Sequence, residues 1–240
     1  MSTKSLMSKP VVFAHRGASG VCFENTMRAF REAARQNADG IELDVQLTMD
    51  GVPVVVHDTD LYRIAGIRKR VSDLHFSDLR GVKIGGKFSR RLKGYRIPTL
   101  QEAVSFCELN RLALNIELKE TVSDRPEFLR EIIGMAMLLD SVHLSSFDPE
   151  IIKKAKAMEP SIETALLVKR KTLDWGRLEK YDFIEGFNFH KRLLKEPYLG
   201  AMIATGKKLR VYGVTGNEAI ALHPPAYING WITDFPGRFK

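Results

Sequence analysis

The chain has 240 residues, with 37 basic and 29 acidic side chains, a net charge of +8 and a pI near 9.5. Its 44% apolar share and mean hydropathy of −0.16 supply a sizeable core and exclude a disordered or fibrous chain. No apolar run reaches the ~18 residues of a membrane span. The opening residues MSTKSLMSKP lack an apolar h-region, so no secretory signal and no stable membrane association are expected, and the cytoplasm is the expected compartment. Cys22 and Cys107 have neither disulfide-framework nor metal spacing and read as small buried hydrophobes.

Short β-branched runs alternate with segments of helical period, the pattern of repeated β/α units. Strands are predicted at 11–15, 40–47, 52–57, 113–119, 143–147, 163–168, 183–189, 209–214 and 228–233. Asn25 is placed to cap a helix with an apolar face of Met27, Phe30 and Ala33. Thr99 and Glu102 form a capping box, and Asp148-Pro149 sets a cap before a proline at the first helical position. The link from Leu47 to Val52 is too short for a crossover helix, and its Asp50-Gly51 pair is a hairpin signal, so 52–57 is predicted to return antiparallel with Asp44 facing His57. The remaining eight runs recur about every 30 residues, as expected of one (β/α)8 TIM barrel spanning 1–240. An open doubly wound sheet would want a G-x-G-x-x-G after the first strand, and none is there.

Residues 58–98 break the rhythm and read as a small inserted subdomain with one short helix around Ser77–Arg80. They carry eleven basic against four acidic residues, +7 of the chain's +8. Such a run is ordinarily a solvated surface; the functional reading is steering of an anionic substrate. No helix-turn-helix, zinc spacing or aromatic-rich basic sheet supports nucleic-acid binding.

Polar residues interrupt the strands in an ordered way. Glu42 and Asp44 fall on one face by the period of two, and Asn115, Glu117 and Lys119 repeat the alternation. Adjacent carboxylates repel unless water or a cation neutralises them. In a barrel strand the cation is the better reading, and an oxygen-only set of Glu42, Asp44 and Glu117 suits Mg2+ or Ca2+. His15 and His57 each close a strand beside these acids and are candidates for proton transfer. His75, His143, His190 and His223 lack such company and read as surface or packing residues. Arg16 offers a fork of donors to an oxyanion and Lys119 a point charge beside the metal. Gly17 and Gly20 allow a tight loop whose backbone donors could approach a phosphate.

His15-Arg16-Gly17, Glu24-Asn25-Thr26, Glu42-x-Asp44, His57-Asp58, Glu117-x-Lys119, Ser146-Phe147 and Thr233-Asp234-x-Pro236 follow one another in this order. In that order they resemble the glycerophosphodiester phosphodiesterase family, and the chain looks like one of its cytoplasmic bacterial members. The resemblance implies a (β/α)8 barrel with an insertion after the His-Asp motif and a divalent cation on Glu42, Asp44 and Glu117. It further implies His15 and His57 as acid/base pair, Arg16 and Lys119 as phosphate binders, and cleavage of a small-molecule glycerophosphodiester to glycerol 3-phosphate and an alcohol. Phe23, Ile64 and Tyr212-Gly213-Val214-Thr215 depart from the family's usual proline, threonine and Trp-Thr-Val-Asn; none removes a ligand or proton carrier, and the last changes the pocket wall, which bears on the alcohol preference and substrate fit. The alternatives are a lysophospholipase D or phospholipase C-like enzyme on the same barrel, which would need an apolar path for an acyl chain, and a noncatalytic binder of glycerophosphodiesters.

Overall fold

The computed structural model describes residues 9–86, 94–171 and 173–239. Each predicted run is a strand: β1 Val11–His15, β2 Gly40–Leu47, β3 Pro53–Val55, β4 Ala113–Leu118, β5 Val142–Ser146, β6 Glu163–Val168, β7 Gly186–His190, β8 Lys208–Tyr212 and β9 Gly230–Thr233. All pairings are parallel except that of β2 with β3, and β1 pairs with both β9 and β2, so the eight parallel strands close into a barrel. The expected (β/α)8 architecture is therefore the fold.

The outward faces of the strands carry the stability. Ile41, Leu43, Val45 and Leu47 of β2 are fully buried, in one apolar cluster with Phe30 and Ala33 of helix α1 (Met27–Arg35) and Leu100, Ala103 and Val104 of the helix Leu100–Asn110. Burying Phe30 alone contributes roughly 1.5–3 kcal/mol. The Thr99–Glu102 capping box forms, and Asp148 caps the helix Pro149–Met158 by accepting from Glu150 N at 2.9 Å. Cys107 is buried as expected, whereas Cys22 is half-buried.

Two local expectations are corrected. The hairpin register is displaced by one residue: Val45 pairs with Val55 and Leu47 with Pro53, so Asp44 lies opposite Val56 rather than His57. The cause is a three-residue loop, Met49-Asp50-Gly51, in which Gly51 at φ +82° takes the left-handed conformation and Thr48 Oγ1 bonds Asp50 Oδ1 at 2.7 Å. The second is the cap of α1, which is Thr26, accepting from Ala29 N; Asn25 stands one residue earlier at φ +52° and points elsewhere.

β2 outruns β1. The last rung of β1 is His15 with Glu42, and above it the same edge of β2 is taken by β3, with Val56 N donating to Asp44 O at 2.9 Å. Val54 and Val56 then pack into a second apolar cluster with Leu61, Ile64, Val71, Leu79, Ile84 and Ile97, which gives the residues after β3 a core of their own. The expected short helix there spans Phe76–Leu79, with another, α2, at Tyr62–Ala65. Lys87, Phe88, Arg90, Arg91 and Lys93 of the basic run lie outside the described residues. Among the described residues no helix is long and apolar enough to cross a membrane.

Candidate active site

Parallel register brings the polar positions of neighbouring strands to one level. His15 pairs with Glu42, Glu42 with Asn115 and Asp44 with Glu117, so all face the barrel interior near the C-terminal ends of the strands. One carboxylate oxygen from each of Glu42, Asp44 and Glu117 lies within 4.8 Å of the others, and all three residues are buried. Lys119 Nζ donates to Glu117 Oε1 at 2.7 Å and stands 3.5 Å from Asp44 Oδ1. Arg16 Nε is 3.1 Å from Asp44 Oδ2, and Asn25 Nδ2 donates to that oxygen at 2.8 Å. Asp44 Oδ1 is buried with no hydrogen-bond partner among the described residues.

The electrostatics follow. Burial lifts the Glu42 carboxyl above its usual range. Burial, then the charge of Asp44, pushes Glu117 up to about 7. Burial works the same way on Asp44, but Arg16, Lys119 and His57 outweigh it and leave that carboxyl below the usual range. Lys119 remains a cation because Glu117 and Asp44 outweigh its burial. The cluster thus ionises only in part by itself, and an unmet oxygen in an all-oxygen set fits a hard divalent cation.

Both histidines stand at this mouth, each with Nδ1 on a carboxylate. His15 Nδ1 is 2.6 Å from Asp234 Oδ1, which also accepts from Ser19 Oγ at 2.9 Å. Enclosure lowers the His15 pKa, but Glu42 and Asp234 outweigh it and the net shift is upward. His57, though outside β3, lies near enough for its charge to act on Asp44, with Nδ1 2.7 Å from Asp58 Oδ1. Arg63 of α2 completes a network that sequence reasoning missed. It donates to Asp58 Oδ2 at 2.6 Å and to Glu24 Oε1 at 2.7 Å, and Glu24 in turn accepts from Arg16 Nη1 at 2.9 Å. Its position five residues after Asp58 was the available signal.

The expectation of backbone donors for a phosphate is not met. Arg16 N goes to Glu42, Gly17 N to Ala14 O, Ala18 N to Ala29 O, Ser19 N to Gly17 O and Gly20 N to Asp234 O. The loop holds Arg16 at φ +55°, a strained backbone for a non-glycine residue, and leaves its side chain as the available cation. His143 is buried in edge contact with Phe13, in keeping with packing. Two motif residues outside the cluster brace it: Ser146 Oγ donates to Leu118 O and Thr233 Oγ1 to Val214 O.

The acidic cluster and the two histidines thus lie at the C-terminal mouth of a (β/α)8 barrel, the face on which enzymes of this fold carry their active sites. Residues 15–238 match the glycerophosphoryl diester phosphodiesterase family, and the chain belongs to it. It is 32% identical over 232 residues, 95% of each chain, to a glycerophosphodiester phosphodiesterase of Caldanaerobacter subterraneus, and 31% identical over 233 residues, again 95% of each, to one of Bacillus altitudinis. Among solved structures, an Oleispira antarctica phosphodiesterase in complex with the product sn-glycerol-3-phosphate superposes with a TM-score of 0.85 at 26% identity, covering 96% of this chain and 95% of that one. The enzyme class is thus that of glycerophosphodiester phosphodiesterases.

Proposed function

We propose that the enzyme, read as one domain over 1–240 with an insertion at about 58–98, hydrolyses small glycerophosphodiesters to glycerol 3-phosphate and an alcohol, with Mg2+ or Ca2+ on Glu42, Asp44 and Glu117. The observation that carries this reading is the convergence of three buried carboxylates in which Asp44 Oδ1 has no hydrogen bond among the described residues and only the Lys119 ammonium, 3.5 Å away, beside it. The product in the Oleispira antarctica relative is the phosphomonoester such a reaction releases.

A phosphodiester repels nucleophiles, so the site must neutralise charge, activate a hydroxyl and protonate the departing oxygen. A divalent cation, when bound, supplies Lewis-acid polarisation of the phosphoryl oxygens. Arg16 and Lys119, both held charged by the acids, bind those oxygens from the protein side. Burial raises the Asp58 pKa, but hydrogen bonds from Arg63 and His57 outweigh it and keep that carboxylate ionised. It then accepts Nδ1–H of His57 and leaves Nε2 as the base for the attacking hydroxyl. His15, with its pKa raised, carries the proton for the departing alcohol oxygen. The test is a coupled assay for glycerol 3-phosphate release from a panel of glycerophosphodiesters, with and without chelator. Release abolished by chelation is expected; no release from any member would point to a binding protein.

A further inference from the structure

The N-terminal ends of β1, β5, β6 and β8 surround a cavity of about 720 Å³ that shares no residue with the mouth. Barrel interiors are ordinarily filled by bulky branched side chains. At this floor the inward positions include His143, Glu163, Lys208 and Arg210, and their neighbours Gly186 and Gly230 make room: a Cβ there would lie 2.8 Å from Arg210 Nη1 and 3.2 Å from Arg210 Cγ, respectively. The glycines thus cradle the arginine.

Arg210 is 6% exposed and His143 3%. Arg210 Nη2 pairs with Glu163 Oε1, and Glu163 Oε2 takes Lys208 Nζ at 2.5 Å, so both oxygens of this carboxylate are engaged. Arg210 Nη1 and His143 Nε2 are buried without hydrogen-bond partners among the described residues. Each such unmet group carries a desolvation cost that a ligand or water would remove. Burial, then Arg210 and Lys208, hold the His143 imidazole neutral, so it can donate without adding charge. With Lys9 at the rim, three cations face one carboxylate.

We propose that the barrel floor is a second ligand site, for a small molecule bearing a phosphate or carboxylate group, held by Arg210 and Lys208 with His143 as a neutral donor. The volume suits a metabolite-sized molecule. Nothing in this depends on the chemistry at the mouth.

Histidine-ring NMR of the full chain separates the two ends, because His143 reports the floor while His15 and His57 report the mouth. Inorganic phosphate and citrate are titrated separately, with the His143 signals assigned by their loss in His143→Gln. The expected result is a saturable shift of the His143 signals with at least one of the two anions, and which one tells phosphate from carboxylate. The shift should persist in Lys119→Gln, which alters only the mouth. In Lys208→Gln the affinity should fall roughly tenfold, with unchanged His15 signals showing that the fold is kept. His143 signals unmoved by millimolar amounts of both anions would mean that the floor holds water only. An affinity unchanged in both Lys208→Gln and Arg210→Lys would likewise overturn the proposal.

Discussion

At the C-terminal mouth three carboxylates face Arg16 and Lys119, whereas at the N-terminal floor Lys9, Lys208 and Arg210 face Glu163. Both ends occupy the inner wall of the same sheet, and both leave buried polar atoms without hydrogen bonds among the described residues, Asp44 Oδ1 being one of those above and Arg210 Nη1 and His143 Nε2 two of those below. The outer wall of β2 over the same length is all aliphatic. Period-two alternation lets one strand carry both loads, with stability on the outside and charge on the inside. The sign of the surplus charge then decides what each end can hold.

The sharpest way to break the comparison is at the acidic end. If the acids hold a cation as proposed, Glu42→Gln or Asp44→Asn should cut turnover by roughly a thousandfold or more and remove cation affinity, because each removes one of the three carboxylates that would ligate it. Calorimetry finding unchanged cation affinity in both variants would put the ion elsewhere. His15→Ala and His57→Ala should each lower kcat by roughly two to four orders of magnitude and flatten one limb of the pH profile. A change confined to KM would demote that histidine to substrate binding.

Arg63 tests whether the mouth depends on its supports. Arg63→Gln leaves Asp58 and Glu24 without their shared partner and should cost roughly tenfold in kcat, with Arg63→Lys recovering part of it. Equal rates for wild type and Arg63→Gln would show that His57 needs no such brace.

Cation affinity should also depend on pH with a definite sign. Burial, then the charge of Asp44, pushes Glu117 up to about 7, so near neutrality the site without the ion still holds part of a proton that binding must expel. Affinity should therefore fall as pH drops below 7, approaching about tenfold per unit for each proton released. An affinity constant across that range by titration calorimetry would mean the acids are already ionised without the cation. The smallest effect is expected from the basic insertion. Arg68, Lys69 and Arg70 changed together to glutamine should lower kcat/KM a few-fold at low salt, leave kcat alone and weaken its salt dependence, since steering is screened over about 8 Å. Stopped-flow salt slopes equal to wild type would reduce that charge to a solvated surface.

The barrel was readable because β-branched runs and marked helix starts are local signals. Glu42, Asp44 and Glu117 were readable because carboxylates repeated at strand spacing inside a barrel repel one another unless a cation joins them. What escaped depended on long-range geometry. The hairpin register turned on Gly51 adopting a positive φ, which lengthened the loop by one residue. Asn25 has the composition of a helix cap, and only the fold shows its amide reaching Asp44, nineteen residues on. The floor residues His143, Glu163 and Arg210 sit on three strands with no shared motif, although the alternation Lys208, Arg210, Tyr212 along β8 was there to be seen.

The handover at β2, where β3 takes the edge that β1 vacates, bears on how such an enzyme can diversify. Below it the hoop of strands is closed by β1 and does not involve the insertion. Above it the backbone of Asp44 is laced to a chain segment that has a core of its own. That segment can therefore change in sequence without reopening the hoop, provided the short antiparallel lacing through Val55 and Val56 is kept.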